Sequence, residues 1–224
     1  MADLWETLKE RPTGKALGLL VEALLLRSLK GSLRGVYLRG EAPTGPLVLV
    51  LNHHGFFDGH LVWLLRKLYR KPLSLLVAEE NLKGFPVLKL AGALEAGRVR
   101  EALRRLGRGE WVALFPEGEM RYPGPLGPLR EGARWLARKA GVSLLPVALR
   151  VVLRGYEHPE AFVWIGKPVP PGEEAGALGE LLQALDALLA QTHPREVPEG
   201  FREVLRGRRS LEERVLPLVR LLRP

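Results

Sequence analysis

Short apolar segments alternate with helical ones along this chain, and the alternation limits its fold more than any other feature. Residues 47–51 and 73–77 are almost entirely apolar, which is typical of strands buried on both faces. Predicted strands are 36–38, 47–51, 73–77, 110–115, 143–153 and 161–165, and predicted helices are 57–68, 81–91, 99–107, 129–140 and 174–191. This order predicts an α/β fold: a single domain with a largely parallel central sheet flanked by helices.

Helices are also predicted at both ends of the chain. Residues 2–10 and 15–30 form a predicted amphipathic helix pair, and residues 198–223 form a predicted helical tail. A basic amphipathic helix such as the second one either packs on the domain or lies in a membrane interface. We therefore divide the chain into residues 1–32, helices expected to contact a membrane, and residues 33–224, the α/β domain with its helical extension.

The charge of the chain points to an anionic partner. The net charge is +9, and such an excess attracts nucleic acid, phospholipid headgroups or anionic small molecules. Aromatic residues make up 7% of the chain and none form an RNA-binding signature, so no nucleic-acid partner is expected. The most apolar early stretch, residues 16–26, is too short to span a bilayer. We expect the chain to bind lipid at the membrane surface.

The segment from Asn52 to His60 carries the most informative chemistry. It begins where a buried strand ends, and ligands bind at the carboxyl ends of strands in open α/β sheets. His53 and Asp58 are five positions apart, and a loop containing Gly55 can fold the carboxylate back onto the imidazole. A histidine held in this way is an effective general base, because the carboxylate fixes its tautomer and stabilises the imidazolium.

A metal site is the competing interpretation of the same segment. His53, His54, Asp58 and His60 are four potential ligands within eight residues. Their spacing matches neither His-Glu-x-x-His nor His-x-His-x-Asp-His, and adjacent histidines on an extended backbone point to opposite sides. A metal-dependent hydrolase stays open as an alternative at this point. The chain has no cysteine, which excludes thiolate ligands and a cysteine nucleophile from it.

A second segment, Phe115-Pro116-Glu117-Gly118, follows directly on a predicted strand. Its proline and glycine form a rigid turn that presents Glu117 at the carboxyl end of that strand. Arg121 follows closely and offers a charge suited to phosphate. Together with the His/Asp pair upstream, this turn indicates one composite site rather than a chance tetrapeptide.

These segments together resemble the glycerophospholipid acyltransferase family, typified by lysophosphatidate and glycerol-3-phosphate acyltransferases, over residues 34–168. His53 and Asp58 match the His-x4-Asp motif of that family. The other blocks that resemble the family lie at residues 92–98, 115–118 and 145–147, followed by the Gly-Lys-Pro turn 166–168. The resemblance implies that residues 33–224 form an acyltransferase domain.

The resemblance also implies a reaction and its participants. A fatty acyl group would pass from acyl-CoA or acyl carrier protein to a hydroxyl of a lysophospholipid-type acceptor, with 1-acylglycerol-3-phosphate as the acceptor expected from the family. His53 would be the general base and Asp58 would hold it, with no covalent acyl-enzyme, no metal and no cofactor. Acceptor-binding roles are implied for Arg98, Glu117, Gly118 and Arg121, and an acyl groove for Pro146 and Val147. The implied location is peripheral, on the cytoplasmic face of the cell membrane.

Two departures from the family pattern bear on the acceptor. The third block usually continues Gly-Thr-Arg-Ser, whereas this chain has Gly118-Glu119-Met120-Arg121. The arginine is therefore shifted by one place, and a carboxylate stands beside the expected phosphate site. Gly55 occupies a position where many members have serine. An acceptor with a sugar or amino-acid headgroup is therefore an alternative to a phosphate monoester.

Overall fold

In the computed structural model, which describes residues 11–215, strands and helices follow one another from residue 35 to residue 191. The strands are β1 Gly35–Arg39, β2 Leu47–Leu51, β3 Leu73–Val77, β4 Ala93–Glu95, β5 Trp111–Leu114, β6 Leu144–Val152, β7 Glu160–Ile165 and β8 Arg202–Arg206. The helices are α1 Pro12–Ser32, α2 Asp58–Leu68, α3 Glu79–Gly84, α4 Val99–Gly107, α5 Gly132–Ala140 and α6 Glu174–Gln191, with a 3₁₀ helix at Pro86–Ala91. Residues 211–215 are also helical.

The strands of the described residues form one sheet in the order β4-β3-β5-β2-β6-β7-β1-β8. Neighbours are parallel from β4 to β6 and again between β7 and β1, while β6–β7 and β1–β8 are antiparallel. The predicted α/β fold with a largely parallel sheet is thus confirmed. Because β2 lies between β5 and β6, the carboxyl ends of these three strands meet at one edge of the sheet.

Helices cover both faces of the sheet, so the central strands are apolar on each side. In β2, Leu49 packs with α1 and α2, whereas the adjacent Val48 and Val50 pack with α4 and α5. Helix α6 covers the same face as α4 and α5, over β6 and β7. Burial on both faces explains why these strands could be recognised as continuous apolar runs. Between residues 11 and 215, no helix has both the length and the hydropathy of a membrane span.

Several predicted elements have the bounds that the structure shows. Strands β2 and β3 and helix α6 have the predicted residues, and α1 gives the second helix of the predicted amino-terminal pair. The predicted helix 81–91 is instead two helices, α3 and the 3₁₀ helix, because Pro86 has no N–H to continue the first one. Strand β4 was missed.

The predicted helical tail needs a correction. Residues 211–215 are helical, but the prediction was wrong for residues 202–206, which form β8 antiparallel to β1. Strand β8 supplies hydrogen-bond partners to β1, which would otherwise be an open edge. The chain then passes so close to the start of β1 that a Cβ at Gly207 would lie 2.1 Å from the main-chain oxygen of Leu33. The predicted helical segments 2–10 and 216–223 lie outside the described residues.

Candidate active site

The two motif segments meet at the carboxyl edge of the sheet. His53 follows the end of β2 by two residues, and Phe115 follows the end of β5 directly. Since β2 and β5 are parallel neighbours, both segments leave the sheet side by side. The ring of His53 stacks on that of Phe115 with centroids 4.3 Å apart and an interplanar angle of 16°. This adjacency of β2 and β5 brings the two motif segments together at one place.

The imidazole of His53 is held by Asp58. The distance from His53 Nδ1 to Asp58 Oδ2 is 2.9 Å, and the same carboxylate oxygen accepts main-chain hydrogen bonds from His54 at 2.7 Å and Gly55 at 2.9 Å. Asp58 begins helix α2 and is buried, whereas 23% of the His53 side chain is exposed. Nδ1 faces the carboxylate, which leaves Nε2 as the nitrogen with a lone pair for a substrate proton.

The main chain of His53 is clamped by the loop that follows β5. Its N–H donates to Glu117 Oε1 at 2.9 Å, and its carbonyl accepts from the N–H of Arg121 at 2.9 Å. The second oxygen of Glu117 accepts from the N–H of Gly127 at 3.0 Å, which closes the loop 117–127. The Glu117 side chain has 0% exposure. In this structure Glu117 therefore positions His53 and the loop, a task different from the acceptor contact implied by the family.

Gly118 makes the turn possible. Its φ of 76° lies in the left-handed region, and a Cβ there would come within 2.3 Å of Arg130 Nε. The N–H of Gly118 donates to the carbonyl of Phe115, and that of Arg130 donates to the carbonyl of Pro116. Gly118 thus shapes the turn that carries Glu117, and any main-chain contact with an acceptor stays a prediction.

The two arginines predicted to bind the acceptor differ in their relation to His53. Arg121 lies beside the site, and its guanidinium is 2.7 Å from Glu119 and 3.7 Å from Glu117. Arg98 precedes α4, beyond the end of β4. It is at the same edge of the sheet, but β4 is three strand spacings from β2, about 14 Å. Only Arg121 is therefore close to the His/Asp pair.

Pro146 and Val147, the residues predicted for an acyl groove, lie inside β6. They pair with Val50 and Leu51 of β2 and are both buried. As consecutive residues of a strand they point to opposite faces, with Val147 in the core under α1 and α2. The structure does not bring them together on one wall, and their role in acyl binding stays a prediction.

His54 has surroundings unlike those of His53. Its side chain is 5% exposed, and its Nδ1 contacts a guanidinium nitrogen of Arg150 and lies 3.3 Å from Asn52 Nδ2. Burial lowers the pKa of His54, and the charge of Arg150 lowers it further. Asn52 is itself fixed by two hydrogen bonds to the main chain of Leu149. The Nδ1 atoms of His53 and His54 therefore contact different groups, Asp58 and Arg150.

The same arrangement bears on the metal-site alternative. Burial lowers the pKa of His60, whose ring contacts Phe56 and Phe57 rather than the His/Asp pair. Among residues 11–215, no three His, Cys, Asp or Glu side chains are grouped so that they could hold a metal ion.

Sequence reasoning missed Arg150 and its partner Asp186. Arg150 lies in the otherwise apolar strand β6 and is buried, with two bonds of 2.6 and 2.7 Å to the carboxylate of Asp186 on α6. An arginine within a buried strand was the available signal, since a buried charge must have partners. No sequence pattern indicated that Arg150 contacts His54.

Comparison with known proteins relates the chain to one family. A family model described as Acyltransferase matches residues 35–150. The 1-acyl-sn-glycerol-3-phosphate acyltransferase BAT2 of Brassica napus, described as chloroplastic, is 26% identical over 145 residues, which cover 55% of this chain and 41% of that protein. The chain thus spans less than half the length of this curated relative.

A solved structure shares the fold. The crystal structure of the 1-acyl-sn-glycerophosphate (LPA) acyltransferase PlsC from Thermotoga maritima superposes with a TM-score of 0.55 at 20% identity. The match covers 86% of this chain and 85% of that one. At this identity the likeness shows a common fold and nothing finer.

Proposed function

Because the chain belongs to the acyltransferase family, we propose that it is a lipid O-acyltransferase with 1-acylglycerol-3-phosphate as its acceptor. The donor in this proposal is acyl-CoA or acyl carrier protein. The acceptor is supported by the activity for which the Brassica napus relative is named. The observation that carries the proposal is the 2.9 Å contact between His53 Nδ1 and Asp58, at the edge of the sheet where ligands bind in such folds.

The proposed step is direct transfer without an acyl-enzyme. Nε2 of His53 takes the proton of the acceptor hydroxyl as its oxygen attacks the thioester carbonyl. A carbon–oxygen bond forms, the carbon–sulfur bond breaks, and the proton passes from His53 to the departing thiolate. Asp58 holds the imidazole and stabilises the transient imidazolium. Because three hydrogen-bond donors orient the carboxylate of Asp58, the geometry of the pair is fixed before substrate arrives.

Arg121 is our proposed contact for the acceptor phosphate. Its N–H is bonded to the carbonyl of His53, so its side chain begins next to the base. Arg98, three strands away, would suit a more distant part of the acceptor or the donor. We keep Pro146 and Val147 as proposed acyl-contact residues. In this proposal the fatty acyl chain reaches the sheet near β6.

One observation favours a second acceptor class. The carboxylate of Glu119 lies 2.7 Å from the guanidinium of Arg121. It neutralises part of the positive charge that would bind a phosphate monoester. An acceptor with a sugar or amino-acid headgroup would meet a smaller electrostatic penalty beside Glu119 than a phosphate dianion would. The same His53 chemistry would serve either acceptor.

We further propose that the protein works at a lipid surface, on the cytoplasmic face of the cell membrane and without spanning it. Val21 and Leu29 of α1 face the core, while Leu17, Leu20 and Leu24 form an exposed stripe at helical spacing. Phe56, between His53 and Asp58 in the chain, is 70% exposed. An interfacial helix and an exposed aromatic beside the site suit substrates with apolar tails.

The test is acyl transfer from labelled acyl-CoA, and separately from acyl carrier protein, to a panel of acceptors. The panel contains 1-acylglycerol-3-phosphate, other lysophospholipids, a glycolipid and an amino-acid lipid. Our proposal expects a diacyl product with the first acceptor, and a preference for the last two would select the second class. No transfer from either donor, together with hydrolysis that a chelator abolishes, would replace the proposal by the metal-dependent hydrolase.

A further inference from the structure

Arg150 links three separate parts of the candidate site. Its guanidinium donates to both carboxylate oxygens of Asp186 on α6, to the carbonyl of Gly124 at 2.6 Å and to Nδ1 of His54. Only 4% of its side chain is exposed. Gly124 belongs to the loop 117–127, which Glu117 closes. One buried side chain therefore joins a helix, the loop and the residue next to the proposed base.

The contact with Arg150 fixes the tautomer of His54. A guanidinium has only donors, so His54 Nδ1 must accept. The nearby Nδ2 of Asn52 is also a donor, because the other atom of that amide, Oδ1, accepts from the N–H of Leu149 at 2.8 Å. The proton of neutral His54 must then be on Nε2, which lies 3.8 Å from Glu117 Oε1. That oxygen is the one that holds the main chain of His53.

From these contacts we infer that Arg150 is a positioning residue of the proposed acyl transfer. It holds neutral His54 with Nε2 3.8 Å from Glu117 Oε1, outside hydrogen-bond distance, and it anchors the loop through Gly124. Glu117 and the loop residue Arg121 in turn hold the N–H and the carbonyl of His53. The inference rests on the proposed function for its catalytic consequence, but the arrangement of His54 can be measured without any activity.

The charges around His54 support the same arrangement. Arg150 faces it on one side, while Glu117, Asp58 and Asp186 are the carboxylates in its surroundings. Burial lowers the pKa of His54 and Arg150 lowers it further, so the neutral imidazole is the form present at neutral pH. A protonated His54 would set its own N–H against a guanidinium N–H.

The catalytic consequence is tested with Arg150→Lys and Asp186→Asn. A lysine keeps the charge but has no planar fork that could reach Asp186, Gly124 and His54 together. We expect kcat to fall about 10- to 100-fold with a much smaller change in KM, because the base is misplaced while the substrate contacts remain. Arg134→Lys is the matched control. Arg134 pairs with Glu174, which lies on α6 as Asp186 does, but Arg134 is not part of the candidate site. Equal kcat in the Arg150, Asp186 and control variants would refute the positioning role.

The tautomer is tested by NMR on protein with ¹⁵N-labelled histidine, of which the chain has five. In the wild type we expect the His54 proton on Nε2 and a titration midpoint below the ordinary value. In Arg150→Met the midpoint should rise and the preference for one tautomer should weaken. An Nδ1–H tautomer in the wild type, or no change in the variant, would overturn the inference. A wild type that transfers no acyl group but has the expected tautomer would instead count against the proposed function alone.

Discussion

The main-chain N–H of His53 donates a 2.9 Å hydrogen bond to the buried carboxylate of Glu117, which lies 64 positions later in the chain. The two residues belong to loops that leave adjacent parallel strands, β2 and β5. Glu117 therefore holds the main chain of His53, in addition to the acceptor contact that the family resemblance implies for it. Its contribution to catalysis should be separable from acceptor binding.

The first prediction concerns Glu117→Gln. Glutamine can still accept from one N–H, but its amide nitrogen cannot accept from the second, so a buried donor at His53 or Gly127 loses its partner. We expect about 1–3 kcal/mol of lost stability, measured by chemical denaturation, and a lower kcat. Glu131→Gln, at an exposed position on the solvent side of Arg134, should change neither quantity. A raised KM with unchanged kcat and stability would assign Glu117 to the acceptor instead.

The second prediction separates the acceptor classes through Glu119→Gln. The variant removes the exposed carboxylate that pairs with Arg121 at 2.7 Å. If Arg121 binds a phosphate headgroup, KM for 1-acylglycerol-3-phosphate should fall by up to about fivefold, the limit set by an exposed ion pair of about 1 kcal/mol. KM for a glycolipid acceptor should not fall. The reverse pattern would favour the sugar or amino-acid headgroup.

The third prediction addresses the lipid surface. Leu20→Glu with Leu24→Glu places charge on the exposed stripe of α1 and leaves the buried Val21 and Leu29 in place. Binding to phosphatidylcholine vesicles containing phosphatidylglycerol should weaken by at least about tenfold, as measured by co-sedimentation. Val197→Glu, an exposed apolar position outside α1, is the control. Equal vesicle binding by all three proteins would remove α1 from the membrane contact.

The fourth prediction is a pH dependence of stability at the carboxyl-terminal segment. Burial alone would raise the pKa of Glu213, but hydrogen bonds from Arg34 and from the N–H of Ser210 outweigh it and lower the pKa to about 2. A carboxyl group with a lowered folded-state pKa contributes stability above its unfolded value of 4.5, and loses this contribution as the pH falls toward 2. Glu213→Gln should therefore cost ~2 kcal/mol at pH 7.

The measurement for Glu213 is urea denaturation at several pH values. The difference between wild type and Glu213→Gln should be constant from pH 7 to pH 5 and should shrink below pH 4.5. Glu212→Gln is the neighbouring control, because Glu212 pairs with Arg195 at an exposed position. A difference that grows on acidification would contradict the assignment of Arg34 as the partner of Glu213.

The parts of the structure that sequence could predict are those with a local signal. Strands β2 and β3 are apolar because helices cover both faces, and the contact between His53 and Asp58 is made within one short loop. Strand β8 had no such signal, since residues 202–206 are mostly charged or exposed and become a strand only by pairing with β1. The tail prediction failed there because the partner of β8 is far away in sequence.

The same distinction holds within the candidate site. The spacing of His53 and Asp58 predicted a contact that depends on one short loop. The contacts of Glu117 with His53, and of Arg150 with His54, cross between strands and depend on the sheet order, which the sequence does not state. Pro146 and Val147 were chosen by motif, and the alternation of a strand places them on opposite faces.

His53 is the proposed general base of the acyl transfer. The most direct measurement is the single-turnover rate of acyl transfer to 1-acylglycerol-3-phosphate in His53→Ala, with the exposed His193→Ala as control. We predict a fall of about 10³-fold for His53→Ala, the usual contribution of a positioned base, and an unchanged rate for His193→Ala. A His53→Ala protein that folds and transfers acyl groups at the wild-type rate would show that His53 is not the general base.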